Sequence, residues 1–490
     1  MAFSMLVLLC ATSLSAAETD ILIADFEGKG YGDGKVEGTA SGDGLNHARA
    51  EVDPWNQLRG PNGSGVARAC QPPVRLDARH VAWKRPVPRG LSSPVLAGNR
   101  IFLTAVVYDR LVTLAFDTAS GKLAWRRAAP VVPVEKVHKI NSPAASTPHV
   151  DDERVYIYFG SYGLLCYDHE GREQWTKPIP TPRSLYGVAT SPIGHGDSLI
   201  LVLDNDANLP GSRLSQSKLL AVKKSTGETA WETPRPFHRS GWSTPTIWTH
   251  GGGKDLVVLG SGRVAGYDPQ TGVQKWFATG FSRETIAMPV SGNGHLYASA
   301  AMGGVPDEQP DPQPFWDAVM QFDGNGDGKL ERREMTGHFT FPFRPELPPG
   351  HPGYGMPLPG DEAKRKPRLD GMFAWVDKDK NGFWTRDEFL ASMSFRRSKP
   401  TLMAIRPGGE GDVTETHVTW QLHRNIPEIP SPVFYKDRLY LVRNGGHLAA
   451  VDATNGAILY SERLGAPGQY SASPVVANGH LYLASNRGVA

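Results

Sequence analysis

Cysteine is scarce in this chain and its charges nearly cancel. Three cysteines in 490 residues cannot staple a disulfide scaffold. The 52 basic side chains face 50 acidic ones, for a formal charge of +2. No overall field therefore points to nucleic acid as a partner. No apolar run reaches the ~20 residues of a membrane helix, which predicts no transmembrane span. A P-loop, a dinucleotide-binding glycine fingerprint and any Ser/His/Asp or metal-hydrolase spacing are also missing. Disorder is excluded from the other side, because twelve Trp, fifteen Tyr and eighteen Phe are ample material for a core. What is plentiful is Gly (54) and Pro (40), about a fifth of the residues against a usual ~12%. Both are spread along the chain, as many short strands joined by turns require.

The first residues read as an export signal. Phe3 to Cys10 is a short apolar run, and Ser15-Ala16-Ala17 is a small-residue exit, so cleavage is expected after Ala17, although no Lys or Arg precedes the run. Bulky Leu9 before Cys10 argues against a lipid anchor there. The mature protein is then periplasmic or extracellular. It keeps Cys70 and Cys166, whose spacing does not decide whether they pair. Residues 18–54 form a Gly-rich linker.

From Trp83 onward one unit recurs. Each copy opens on a residue pair ending in Pro, at Ser93-Pro94, Thr147-Pro148, Ser191-Pro192, Thr244-Pro245, Met288-Pro289, Ser431-Pro432 and Ser473-Pro474. A turn follows, then apolar strands such as Val155-Tyr156-Ile157-Tyr158, then a Gly turn and usually a Trp, as in Asp117 to Gly121 with Trp125. A period of 42 to 54 residues with four short strands per copy is propeller-blade spacing. The fold class is therefore all-β: a β-propeller of seven or eight four-stranded blades over 55–301 and 401–490, with an incomplete last blade. Each sheet is apolar on both faces and must stack radially, and the Trp is expected to dock between neighbouring blades. Val81-Ala82-Trp83-Lys84 is expected to supply the N-terminal strand that completes the last blade.

These residues carry a resemblance. Ala115-Phe116-Asp117 with Gly121 and Trp125, and Gly266-Tyr267-Asp268 with Gly272 and Trp276, resemble the pyrroloquinoline-quinone (PQQ) repeat. The lead-in Trp55-Asn56-Gln57-Leu58-Arg59-Gly60-Pro61-Asn62-Gly63-Ser64-Gly65 is similar to that of bacterial secreted PQQ-like propellers. The resemblance implies either a quinoprotein dehydrogenase or a non-enzymatic outer-membrane assembly factor. The dehydrogenases carry adjacent cysteines against the quinone, and no two cysteines are adjacent here.

Between residues 302 and 400 the composition turns charged and Pro-rich, and two twelve-residue loops stand inside it. Loop one offers Asp323, Asn325, Asp327, Glu331 and Glu334 at positions 1, 3, 5, 9 and 12, with Gly328 at 6 and the Lys329 carbonyl at 7. Loop two offers Asp377, Asp379, Asn381, Thr385 and Glu388, with Gly382 and the Phe383 carbonyl, and Trp384 replacing the usual aliphatic residue at 8. This spacing wraps six to eight oxygens around one hard cation. With helix-like apolar patterns before both loops, and after the second at Phe389, Leu390 and Met393, the insertion resembles a small α-helical EF-hand pair holding two Ca²⁺ ions. The long Pro- and Gly-rich connector, Phe341 to Pro367, argues against tight pairing of the hands. Charge counting makes loop one the tighter, with four carboxylates against three.

Polar residues just before blade starts, namely His138, Asn141, Tyr186, Arg239, Trp242, Arg283, Glu284 and Tyr470, are placed in loops at one mouth of the channel. The expectation is an exported, calcium-binding propeller that acts as a protein-interaction or small-ligand scaffold at that mouth, without PQQ and without catalysis. The alternative is a PQQ-dependent oxidoreductase.

Overall fold

The computed structural model describes residues 55–68, 70–74, 78–184, 186–207, 209, 215–236, 238–282, 284–301, 313–335, 339–342, 349–350, 355–392 and 400–487. The expected signal and linker lie outside the described residues, as do Arg283 and Met393. The chain divides into two compact units, Met1–Ala301 with Thr401–Ala490, and Met302–Pro400.

The first unit is a β-propeller. Blade 1 comprises Val95–Ala97, Arg100–Val107, Arg110–Asp117 and Leu123–Ala128, hydrogen-bonded in that order. Blades 2 to 4 repeat this meander, with inner strands His149–Val150, Ile193–His195 and Thr246–His250 and outer strands Glu173–Pro178, Thr229–Pro234 and Gln274–Thr279. Blade 5 joins Val290–Gly292, His295–Ala300, Thr401–Ile405 and Val418–Leu422, so the insertion replaces the turn between its second and third strands. Blade 6 runs from Val433–Tyr435 to Ile458–Arg463. Middle strands such as Arg154–Phe159 bury residues of both faces, while outer Leu123–Ala128 fully buries only Trp125. The cores accordingly lie between blades. Val95, Phe102 and Trp125 pack with Val155 and Leu165 of blade 2, and Ile200 of blade 3 packs with Leu256 and Val258 of blade 4.

Each Trp docks across such a boundary, on the turn of the next blade rather than its own. Trp125 Nε1 donates to the His169 carbonyl at 2.8 Å, and a Cβ on Gly171 would lie 2.7 Å from its ring. Gly171 has φ +81°, so both the conformation and the space there call for glycine. Trp175 treats Lys224 and Gly227 the same way, and Trp420 treats Ala453 and Gly456. Opposite each of these rings in its own blade stands a small residue, Ala115, Cys166 or Ala404, at a bulge in the ladder. Trp276 departs from the rule and donates instead to Asp255 of its own blade at 2.7 Å. The facing turn of blade 5 is remodelled, and its Gly411–Asp412 pairs in parallel with the outer strand of blade 4.

The last sheet corrects one expectation. Val475–Ala477 and His480–Tyr482 are joined by Val66–Ala67, which pairs in parallel with Val475–Ala477. Val81 to Lys84 forms no ladder among the described residues. Trp83 nevertheless docks like its counterparts, donating to the Thr118 carbonyl at 2.8 Å against Gly121. The reason is the path of the lead-in, which crosses the inner strands before it reaches that edge. The amides of Leu96, Val150 and Val476, all at the same position after the blade-opening Pro, donate to the carbonyls of Trp55, Asn56 and Gly65 at 2.8 Å each. In blade 4 the equivalent Ile247 amide donates to Asn62 Oδ1 at 2.9 Å. Residues 55–65 thus fasten inner strands from four blades at one level of the ring.

The second unit has its own core. Phe315, Trp316, Val319, Leu330, Phe373, Trp384 and Phe389 are all buried in it. Helix α1 (Gln313–Met320) enters loop one, α2 (Glu362–Val376) enters loop two, and α3 (Arg386–Ser392) leaves it.

Candidate functional site

The two loops are tightly paired, against the expectation drawn from the long connector. Leu330 and Trp384, the two position-8 residues, face each other across an antiparallel ladder that also pairs Glu331 with Phe383. The connector folds back on itself, Thr340–Pro342 pairing with Gly355–Pro357, so its length does not separate the hands. Trp384 is fully buried, with ring centroids of Phe373 and Phe389 at 5.3 and 5.8 Å. A large ring at position 8 is accommodated because aromatic neighbours surround it.

Each loop is held by its own carboxylates. Asp323 accepts from the amides of Gly326 and Gly328 at 2.7 and 2.9 Å, and Glu334 reaches back to Gly324 and Glu331 at 3.0 and 2.8 Å. In loop two, Asp377 accepts from Asn381 and Gly382 at 3.0 Å each. Glu388 accepts from the Thr385 hydroxyl at 2.8 Å, and Asn381 Nδ2 donates to Asp379 at 2.9 Å. These bonds tie the carboxylates at positions 1 and 12 to the backbone of their own loop. Carboxylate oxygens of Asp377, Asp379 and Glu388 lie within 4.8 Å of one another, the one such group among the described residues. In loop one, Glu331 is ion-paired to Arg333 Nε. Lys329 of loop one sits 4.3 Å from the Phe383 ring of loop two, joining the hands at position 7. The donor set is all oxygen at EF-hand spacing, which suits a hard divalent cation such as calcium.

The propeller mouth is the second candidate. His138, Tyr186 and Trp242 come from three successive connections between blades, and their rings form a ladder with centroids 5.1 Å apart at each step. Asn141 Nδ2 clamps two of these connections, donating to the carbonyls of Tyr186 and Val188 at 3.0 and 3.2 Å. Trp242 Nε1 donates to the Gly187 carbonyl at 2.8 Å. Burial and then the Glu284 charge raise the Tyr186 phenol. Arg239 donates to the Asp206 carbonyl at 3.1 Å. Its loop rests on a buried ion pair, Arg235 with Asp204 at 2.9 Å. Burial pushes that Asp204 carboxyl up to about 6, while Arg235 opposes the rise. Burial, and then the Arg235 charge, hold the His238 imidazole down to about 2, and its Nδ1 lies 2.9 Å from Arg235 Nη2. Tyr470 stands apart. It is buried in the boundary of blade 6 with the last sheet and donates to the Ala466 carbonyl at 3.2 Å, a packing role.

Sequence reasoning missed Glu135 and Tyr158. Glu135 Oε1 and the Tyr158 hydroxyl are buried and without partners, and burial pushes the Glu135 carboxyl up to about 6. The available signal was position, since Glu135 precedes His138 and Asn141 in the same connection. No disulfide joins Cys70 to Cys166, and Cys166 is buried in blade 2.

A family model described as outer membrane protein assembly factor BamB matches residues 74–185 and 411–490. No curated protein matches the chain in sequence. Among solved structures, BamB from Moraxella catarrhalis is 13% identical with a TM-score of 0.36, covering 81% of this chain and 92% of that one. A europium-containing methanol dehydrogenase is 11% identical at TM-score 0.46, covering 83% and 75%. The quinohemoprotein alcohol dehydrogenase from Comamonas testosteroni is 14% identical at 0.39, covering 90% and 78%.

Proposed function

We propose that this is an exported, calcium-binding β-propeller that serves as a scaffold for a protein or small ligand at the mouth built by its blade connections. The observation that carries the reading is the convergence of Asp377, Asp379 and Glu388 within 4.8 Å in a loop of EF-hand spacing. Three like charges that close repel one another, and a divalent cation relieves the repulsion. In this reading Asp323, Asn325, Asp327, Glu331, Glu334 and the Lys329 carbonyl hold one Ca²⁺, and Asp377, Asp379, Asn381, Thr385, Glu388 and the Phe383 carbonyl hold the other. The ring ladder at the mouth supports the scaffold role, because aromatic groups anchored by hydrogen bonds are what binding surfaces use. The family description, an outer membrane assembly factor, agrees with a protein partner.

Calorimetry with calcium on the full-length protein tests the first half. Two binding events are expected, and their absence at millimolar calcium would end the calcium reading. A photoreactive residue at His138, compared with one at Gln270 in the Asp268–Gly272 turn between strands of blade 4, tests the second half. In intact envelopes, discrete cross-linked species are expected from position 138 and not from 270. For the oxidoreductase alternative, reconstitution with PQQ and calcium followed by dye reduction with simple alcohols is expected to give no PQQ-dependent turnover.

A further inference from the structure

We propose that the inner ring of the propeller binds a small oxyanion, a carboxylate or phosphate group, on the guanidinium of Arg59. This side chain is 7% exposed, and one of its three nitrogens has a partner, Nη2 donating to the Pro432 carbonyl at 2.6 Å. Nε and Nη1 are buried with no acceptor, and no carboxylate pairs with Arg59 among the described residues. Burial pulls the group down to about 9, so it still carries its charge at neutral pH. A lone cation in such a place is strongly unfavourable, and each orphaned N–H adds its own desolvation penalty.

The cation is held there deliberately. Arg59 has φ +62°, a conformation that side chains other than glycine rarely adopt. A Cβ on Gly65 would lie 2.7 Å from Arg59 Nη2, so glycine at 65 makes room for the guanidinium. The hydrogen bonds of Trp55, Asn56, Asn62 and Gly65 to the inner strands fix the segment on both sides of it. Backbone strain, desolvation and unmade hydrogen bonds at one buried residue of a rigid element together mark a site built for a ligand. A water molecule supplies acceptors but leaves the charge uncompensated. An oxyanion does both, and planar guanidinium geometry favours carboxylate and phosphate over a monatomic ion.

Thermal unfolding of the full-length protein at constant ionic strength, with chloride exchanged for phosphate in one arm and acetate in the other, tests this. A saturable rise in midpoint is expected for one of the two anions, and which one identifies the group. The rise should vanish in Arg59→Met. If that variant does not fold, Arg59→Lys keeps the charge without the planar donors, and should need at least tenfold more anion for half the effect. No saturable rise with either anion, or an equal rise in both variants, overturns the proposal. Electron density for water or chloride alone against Nε and Nη1, in crystals grown with the anion, overturns it too.

Discussion

Charge counting ranks loop one as the tighter of the two proposed calcium sites, and an ion pair within that loop predicts the opposite order. The extra carboxylate of loop one is Glu331, and Arg333 Nε is already ion-paired to it. A position-9 carboxylate about 4 Å from a divalent ion is worth ~2 kcal/mol at the dielectric of water, which an adjacent guanidinium largely cancels. Both loops are then left with three carboxylates, and those of loop two already converge within 4.8 Å. Asp377 is also 8% exposed, so its field is screened less. Loop two should fill first. Replacing Glu388 by Gln removes a formal charge at a ligand distance of ~2.4 Å, worth about 3.5 kcal/mol even at the dielectric of water, or roughly 300-fold in Kd. Calorimetry should therefore lose its tighter event in Glu388→Gln and its weaker event in Glu334→Gln. Arg333→Ala should release Glu331 and tighten the weaker event by about tenfold. If Glu388→Gln leaves the tighter event in place and Arg333→Ala changes neither, charge counting was right and the ion pair does not matter in solution.

Trp125→Ala should cost about 3–5 kcal/mol in urea unfolding, as expected for an aromatic side chain lost from a packed boundary; a loss below 1 kcal/mol would refute the docking rule. His149 is buried, and its imidazole is held down to about 3, chiefly by burial. Its folded value lies below the unfolded 6.5, so the stability it allows is present above pH 6.5 and drains away as pH falls toward 3. His149→Leu should flatten the stability profile over that window relative to wild type, and an unchanged profile would show that the imidazole is solvated. Ala300 and Thr401 are paired across neighbouring strands, so a short Gly/Ser turn in place of residues 302–400 should close blade 5 as a hairpin. Cooperative unfolding of that variant is the expected result; its loss would show that the insertion holds the ring together.

The repeat was legible because each blade writes its own local signals: a Pro before the inner strand, apolar middle strands and a Gly turn. What was not legible is which copy of a residue meets which. Gly171 and Trp175 are neighbours in sequence, yet Gly171 packs against Trp125 of the preceding blade. That pairing is set by radial stacking and has no local signature. The candidate ligands of the two loops can be proposed by position alone, because one turn of chain would supply them all. The Arg333 contact could not, since either sign of neighbour fits the same spacing. The lead-in is the clearest case. Residues 55–65 read as a motif without a role, because their partners are backbone amides 41 to 411 positions away. A backbone acceptor leaves no trace in residue identity. Only Arg59 and Gly65 hint at the arrangement, one as a cation among glycines and the other as the space it needs. The same logic separates the two candidate sites. A loop of EF-hand spacing is local and announces itself, whereas the ring ladder is assembled from three connections whose residues, His138, Tyr186 and Trp242, are unremarkable one at a time. Propellers place binding groups on such connections because the blades fix the spacing and leave the loops free to vary. If the mouth binds a partner, changes at exposed His138 should therefore weaken binding with little effect on ring stability, whereas changes at buried Trp242 should cost stability as well.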